Sequence, residues 1–139
     1  MSKKLKIALI ILVVGVLSAV VVWKLVHIKA DVSVGSKKAD LIIKASALLQ
    51  KYESNEDSAN ILYLNKIIAV SGTIDNINHN DQGVSIYLKN KEDVSGVMCS
   101  FDNSAIDTAI VKRGQQIKVK GICTGYLMDV VLSKCALEK

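Results

Sequence analysis

Ile117–Leu137, IKVKGICTGYLMDVVLSKCAL, carries the densest pattern in this 139-residue chain. Ile117, Val119, Gly121 and Cys123 alternate with Lys118 and Lys120, the period-two signature of a half-buried strand. Gly125 marks a turn. From Asp129 to Leu137 both parities are apolar, which predicts a strand lying between neighbours rather than at an exposed edge. The segment reads as a closing β-hairpin, and the order of elements before it decides the fold.

Upstream, Gly96 to Phe101 places Val97, Cys99 and Phe101 on one face, and Val84, Ile86 and Leu88 alternate against Ser85 and Tyr87. Polar turns at Asn78 to Gly83 and Asn90 to Ser95 bound these strands. Ile67 to Ile77 reads as a long first strand with Ile68, Val70 and Ile74 on one face and Gly72 marking a bulge or sharp coil. Between the third and fourth strands, Asp102, Asn103 and Ser104 offer N-caps for a short helix carrying Ala105, Ile106, Ala109 and Ile110, with Gly114 after its end. Two helices precede the sheet. In Lys37 to Tyr52 the residues Leu41, Ala45, Leu48, Leu49 and Tyr52 recur at helical spacing, with Ser36 as the cap. Ser54 to Asp57 has the form of a capping box and opens a shorter helix with Ala59, Leu62 and Tyr63. The order β-β-β-α-β-β is that of the five-stranded OB-fold barrel, so the expected class is all-β with accessory helices. A five-stranded open sheet is the alternative, and the glycine-coiled first strand counts against it.

Half the residues are apolar and there is no proline, a composition that argues for a folded chain. Ile7 to Trp23 is a run of 17 uncharged residues preceded by Lys3, Lys4 and Lys6 and followed by Lys24. That reaches the lower limit for a transmembrane helix, and residues 5–26 span comfortably if the flanking lysines extend to the headgroups. A cleaved signal peptide competes, but the run is longer than a usual apolar region and no small-residue cleavage site follows. The expected organisation is a membrane anchor over 1–29, a linker over 30–36 and one domain over 37–139. Three lysines before the run against Lys24 and Lys29 after it favour a single pass with the N-terminus inside and the domain outside the cytoplasm.

The net charge of +5 belongs to this anchor. From Ala30 onward there are 13 basic and 13 acidic residues, so the domain lacks the bulk basicity that announces a nucleic-acid partner.

Taken together, several short runs resemble the tRNA_anti-like group of OB-fold proteins, small bacterial proteins that often carry a membrane or lipoprotein anchor. They are Ala39-Asp40-Leu41, the stretch from Tyr63 through Asn65-Lys66 to Val70-Ser71-Gly72, and Gly121-Ile122-Cys123 with Gly125 and Asp129-Val130-Val131-Leu132 before Cys135. The resemblance covers about 39–137 and implies the fold. It also singles out Cys123 and Cys135, both in the family-like hairpin, as the pair to bridge in an oxidising compartment. Against that, a turn centred near Leu127 sets Cys123 opposite Val131, so a bridge needs a bulge or stagger. Three buried thiols acting as small hydrophobes are the other reading of Cys99, Cys123 and Cys135.

OB domains that bind single strands use aromatic and basic residues on the second and third strands. Tyr87, Lys89 and Lys91 are the candidates there, with Lys118, Lys120 and Tyr126 further round, while Phe101 shares parity with Val97 and belongs to the core. Metal-ligand spacing is missing, and there is no cofactor fingerprint or nucleophile motif near His27 or His79. The expected function is a binding or assembly module for a protein or small polar ligand, not an enzyme, with single-stranded nucleic acid as the rival ligand.

Overall fold

The computed structural model describes residues 2–28 and 34–138. It divides into two compact units, Met1–Val32 and Ser33–Lys139. The first is helix α1, Lys3–Ile28, exposed along its described side chains, with mean hydropathy 2.9 over Lys3–Trp23. At 1.5 Å per residue its 26 residues extend about 39 Å, long and apolar enough to cross a bilayer. The polar joint expected from Asp31 lies outside the described residues as far as 33. Its remainder is a single 3-10 turn, Val34–Ser36, whose Val34 is buried.

The second unit opens with strand β1, Leu41–Lys44, followed by helices α2, Ala45–Ser54, and α3, Glu56–Tyr63. The helix expected from Lys37 thus begins eight residues late. Leu41 to Lys44 pair in parallel with Ile68 to Ser71, and the start is fixed on both sides of Asp40. The Asp40 amide donates to the Ile67 carbonyl at 2.7 Å, and its carboxylate accepts the Ile67 amide at 3.0 Å. Two β-branched isoleucines with a ready strand partner outweigh a helical spacing that only the later residues needed. Ala45, Leu48, Leu49 and Tyr52 keep that spacing and are buried. The cap of α3 is Asn55, accepting from the Ser58 amide at 2.9 Å, while Ser54 turns back to the Gln50 carbonyl.

Five strands follow: β2, Ile67–Asn80; β3, Gly83–Leu88; β4, Val97–Phe101; β5, Gln116–Tyr126; and β6, Val130–Leu137. β2, β3 and β4 form an antiparallel meander, β6 runs parallel to β4 and antiparallel to β5, and β5 returns to β2. This closes a five-stranded barrel with the strand order expected of the OB-fold, and β1 is an added sixth strand on the flank of β2. β2 does double duty. Its first half pairs Ile67 to Thr73 with β5, and its second half pairs Ile74 to Asn80 with β3. Gly72 sits at that handover, where an added Cβ would lie 2.9 Å from the Ala45 Cβ and 3.2 Å from the Leu88 Cβ, so its bare backbone lets α2 approach the barrel.

Inward residues of all five strands form one core, with Ile68, Ile86, Val97, Val119 and Leu132 fully buried and α2 and α3 packed on it through Leu48, Tyr52 and Tyr63. Each such side chain contributes about 1.5–3 kcal/mol by leaving water. The helix expected between β4 and β5 is reduced to one 3-10 turn, Thr108–Ile110, capped by Asp107. Ile106 and Val111 are both buried there, while Ala105, Ala109 and Ile110 are exposed. Residues five apart reach one core from an extended loop, not from one face of a helix.

Candidate functional site

The outer face of β2, β3 and β4 is shaped by one irregularity. Register slips between Ile74 and Asn76, so that Asp75 is an extra residue and the parity of β2 reverses beyond it. Ile77 then packs toward the core, and Asn76 and Asn78 turn outward beside Tyr87 and Ser85. Across β3 the same rows continue to Met98 and Ser100 on β4. The outer face therefore carries two uncharged rows, Asn76–Tyr87–Met98 and Asn78–Ser85–Ser100.

At the end of these rows lies a groove of about 200 Å³ between the β2 bulge, the β3–β4 loop and the β5–β6 turn. Tyr87 is half-buried in its wall, and Asn76 and Asn78 are exposed along it. Asn76 is oriented by two bonds: its Nδ2 donates to the Asn78 Oδ1 at 3.2 Å, and its Oδ1 accepts the Ile77 amide at 2.9 Å. Lys89 also lines the groove, but its ammonium donates to the Val94 carbonyl at 3.2 Å. Asp129 at the far wall accepts the Gly96 amide at 2.8 Å, joining the β3–β4 loop to the hairpin turn. Asp75 faces Arg113 at 3.4 Å.

The six residues singled out from the sequence are thus divided. Tyr87 and Lys89 meet in the groove. Lys91 stands in the exposed β3–β4 loop, outside the groove wall. Lys118 pairs with Glu138 at 3.4 Å, and Lys120 is buried with its ammonium donating to the Gly35 carbonyl at 3.3 Å. Tyr126 stacks on Tyr52 with ring centroids 5.6 Å apart and borders a separate shallow groove with Asn60 and Leu127. Asn76 and Asn78 were missed, because a turn was expected from Asn78 onward. The signal that finds them is the three-residue step from Ile74 to Ile77, which period two does not allow without a bulge.

All three cysteines are free and buried. The bridge expected between Cys123 and Cys135 is not formed, for a geometric reason. Two irregularities in the hairpin set Cys123 opposite Leu132, and Cys135 over Gly121, where an added Cβ would lie 2.6 Å from its sulfur. Cys123 shares a 3.3 Å contact with the Tyr52 hydroxyl, and Cys135 donates to the Leu132 carbonyl at 3.5 Å while accepting from the Cys99 thiol. That bond, with burial, holds the Cys99 thiol well above its ordinary pKa. A neutral buried thiol is a poor nucleophile. Among the described residues no group of three His, Cys, Asp or Glu side chains converges to hold a metal ion.

The tRNA_anti-like family model matches residues 1–137. No curated protein matches the chain. Among solved structures, the fold is similar to that of a proposed nucleic acid-binding lipoprotein of Klebsiella pneumoniae subsp. pneumoniae MGH 78578, with TM-score 0.56 and 19% identity over 70% of this chain and 91% of that one. A proposed aspartyl-tRNA synthetase of Leishmania major Friedlin matches at TM-score 0.43 and 9% identity, over 73% of this chain and 21% of that one.

Proposed function

Because the chain belongs to the tRNA_anti-like family, we propose that it is a membrane-anchored OB-fold binding module whose outer β2–β3–β4 face takes a small polar ligand or a protein partner outside the cytoplasm. The observation that carries this reading is the state of the charges around Tyr87. Lys89 is turned onto the Val94 carbonyl, Arg113 onto Asp75, and Asp129 onto the Gly96 amide. A phosphate backbone gains affinity when free protein cations displace its condensed counterions into solution, and here it would meet the carboxylates of Asp75 and Asp129 instead. The role is binding rather than catalysis, since the charged groups of the groove, Asp75, Lys89 and Asp129, are engaged by Arg113, the Val94 carbonyl and the Gly96 amide, and no Ser, Cys or His lines it. Lys3, Lys4 and Lys6 before the apolar run outnumber Lys24 and Lys29 after it, which supports the domain lying outside.

A second reading is single-stranded nucleic acid, favoured by the description of the Klebsiella pneumoniae neighbour as nucleic acid-binding. Titrating the full chain in detergent with labelled single-stranded oligonucleotides at low salt separates the two. The first reading expects no saturable binding; tight binding that weakens steeply with salt would replace it with the second. A reporter fused to the C-terminus tests the location, and activity of a cytoplasm-only reporter would overturn the placement outside.

A further inference from the structure

Resting on the membrane anchor of the proposed reading, we infer that β1 is the seam of a homodimer: its outer edge pairs antiparallel with the same edge of a second copy, across a two-fold axis at Ile42.

One edge of β1 is taken and the other is open. Ile67 turns both its amide and its carbonyl toward Asp40, so the odd-numbered residues of β2 face β1. In a parallel pair such a residue bonds the two neighbours of the residue opposite it. Ala69 stands opposite Ile42 and therefore holds Leu41 and Ile43. The amides of Ile42 and Lys44 are left pointing away from β2. Among the described residues no strand pairs with that edge, where the Ile42 side chain is 70% exposed. The turn before β1 does not cover it, because the Gly35 carbonyl takes the Lys120 ammonium on β5, along the other edge of β2.

An open strand edge is a template for another strand, and this one is complementary to itself. Ile42 has both backbone groups uncommitted, whereas the Lys44 carbonyl sits at the N-cap and accepts the first bond of α2. A two-fold centred on Ile42 lets the two copies exchange a pair of hydrogen bonds there and sets two exposed isoleucines side by side. The same register brings each Lys44 opposite Asp40 of the other copy, whose carboxylate gives one oxygen to the Ile67 amide and keeps the second. Opposite charges thus meet twice in the register that the hydrogen bonds select. An unrelated strand has no reason to share that match.

The ribbon from Asp40 to Lys44 is small beside the usual interface of about 1,200–2,000 Å². Confinement makes up the difference, since an anchor at α1 keeps every copy in one bilayer and raises the effective concentration of one edge for the other.

The test places Ile42→Cys in the full chain, reconstituted at low density in phosphatidylcholine vesicles, and adds a short bismaleimide. The three native cysteines are buried, and Ile61→Cys, at an exposed position on α3, reports random collision. The expected result is a cross-linked dimer with Ile42→Cys and only background with Ile61→Cys. Lys44→Glu, added to Ile42→Cys, should cut the yield about fivefold by setting like charges opposite each other, with an unchanged far-UV spectrum. Equal cross-linking of the two cysteines, or a yield that Lys44→Glu leaves unaltered, would overturn the pairing and leave the anchor standing. Slow hydrogen exchange over residues 41–44 in a chain that does not cross-link would show the edge covered by the chain itself, and would likewise overturn it. A chain that fails to float with the vesicles would overturn both the anchor and the dimer built on it.

Discussion

The Tyr52 hydroxyl lies 3.3 Å from the Cys123 sulfur, joining α2 to the inner face of β5. The same ring stacks on Tyr126 and lies 6.2 Å from Tyr63, so it fastens both helices to the barrel. Tyr52→Phe keeps the stacking and loses one hydrogen bond, an expected cost of about 0.5–1.5 kcal/mol. Tyr52→Ala leaves a cavity and should cost about 3–5 kcal/mol. Denaturant unfolding of the two variants measures the difference, and equal losses would mean that the ring contributes little beyond its hydroxyl.

Burial, and then the contact with Cys123, raises the pKa of Tyr52 above its ordinary value of 10.0. A raised folded-state value means that the neutral phenol is favoured by folding. Its contribution is therefore fully present below pH about 10 and is lost as the pH climbs above that. Alkaline unfolding should begin there, and Tyr52→Phe should flatten the loss of stability relative to the parent. Parallel pH–stability curves would show that other groups control the alkaline limit.

Gly121 and Cys135 occupy one space. Gly121→Ala places a methyl 2.6 Å from the Cys135 sulfur and 3.1 Å from the Leu132 Cβ, and overpacking of this kind costs about 1–3 kcal/mol. Adding Cys135→Ala to that variant should return part of the loss. A double-mutant cycle with no coupling would place the strain at Leu132 instead.

Asp129 ties the hairpin turn to the β3–β4 loop through the Gly96 amide. Its removal in Asp129→Ala should cost about 1.5–3 kcal/mol, the range for a hydrogen bond to a charged group. Faster amide exchange should be confined to the β3–β4 loop and residues 127–130. Exchange spreading first through α2 would contradict this local role.

In the folded protein Cys99, Cys123 and Cys135 should resist alkylation and react only on unfolding, because all three are buried. If diamide is supplied as oxidant, each bridge formed gives up two protons and two electrons to it, and the bridge expected is Cys99 with Cys135, the hydrogen-bonded pair. Peptide mapping of the oxidised chain reads this directly. A Cys123–Cys135 peptide would instead require the hairpin register to shift.

The barrel was legible because its strands are short and their inward residues alternate: Val84, Ile86 and Leu88, then Val97, Cys99 and Phe101, all lie inside. Three features were not legible, each for a physical reason. Leu41 to Lys44 fits a helix and a strand equally until β2 is present to pair with it. The stripe at Ala105, Ile106, Ala109 and Ile110 has helical spacing but only one residue that finds the core. The bulge at Asp75 moves Asn76 and Asn78 outward; along the chain it shows only as the three-residue step from Ile74 to Ile77, and the pairing with β3 decides which residue is extra. The outward direction of Tyr87 on β3 and of Lys89 just past its end was readable because alternation there is unbroken. Tyr126, Lys118 and Lys120 were misleading because exposure on a strand face was inferred for side chains whose partners, Tyr52, Glu138 and the Gly35 carbonyl, come from distant parts of the chain.

The double pairing of β2 sets the order in which the molecule can be made. β3 can join β2 at once, since Asn80 and Gly83 face each other across a tight turn. The first half of β2 can take β1 along one edge, but its other edge must wait for β5, because Ile67 pairs with Ile122. Pairings between such distant residues are slow to form. Until β5 arrives, the meander has an open edge and an uncovered apolar face, the kind of intermediate that aggregates. The domain accordingly has no stable half: it should fold late and lose its structure all at once.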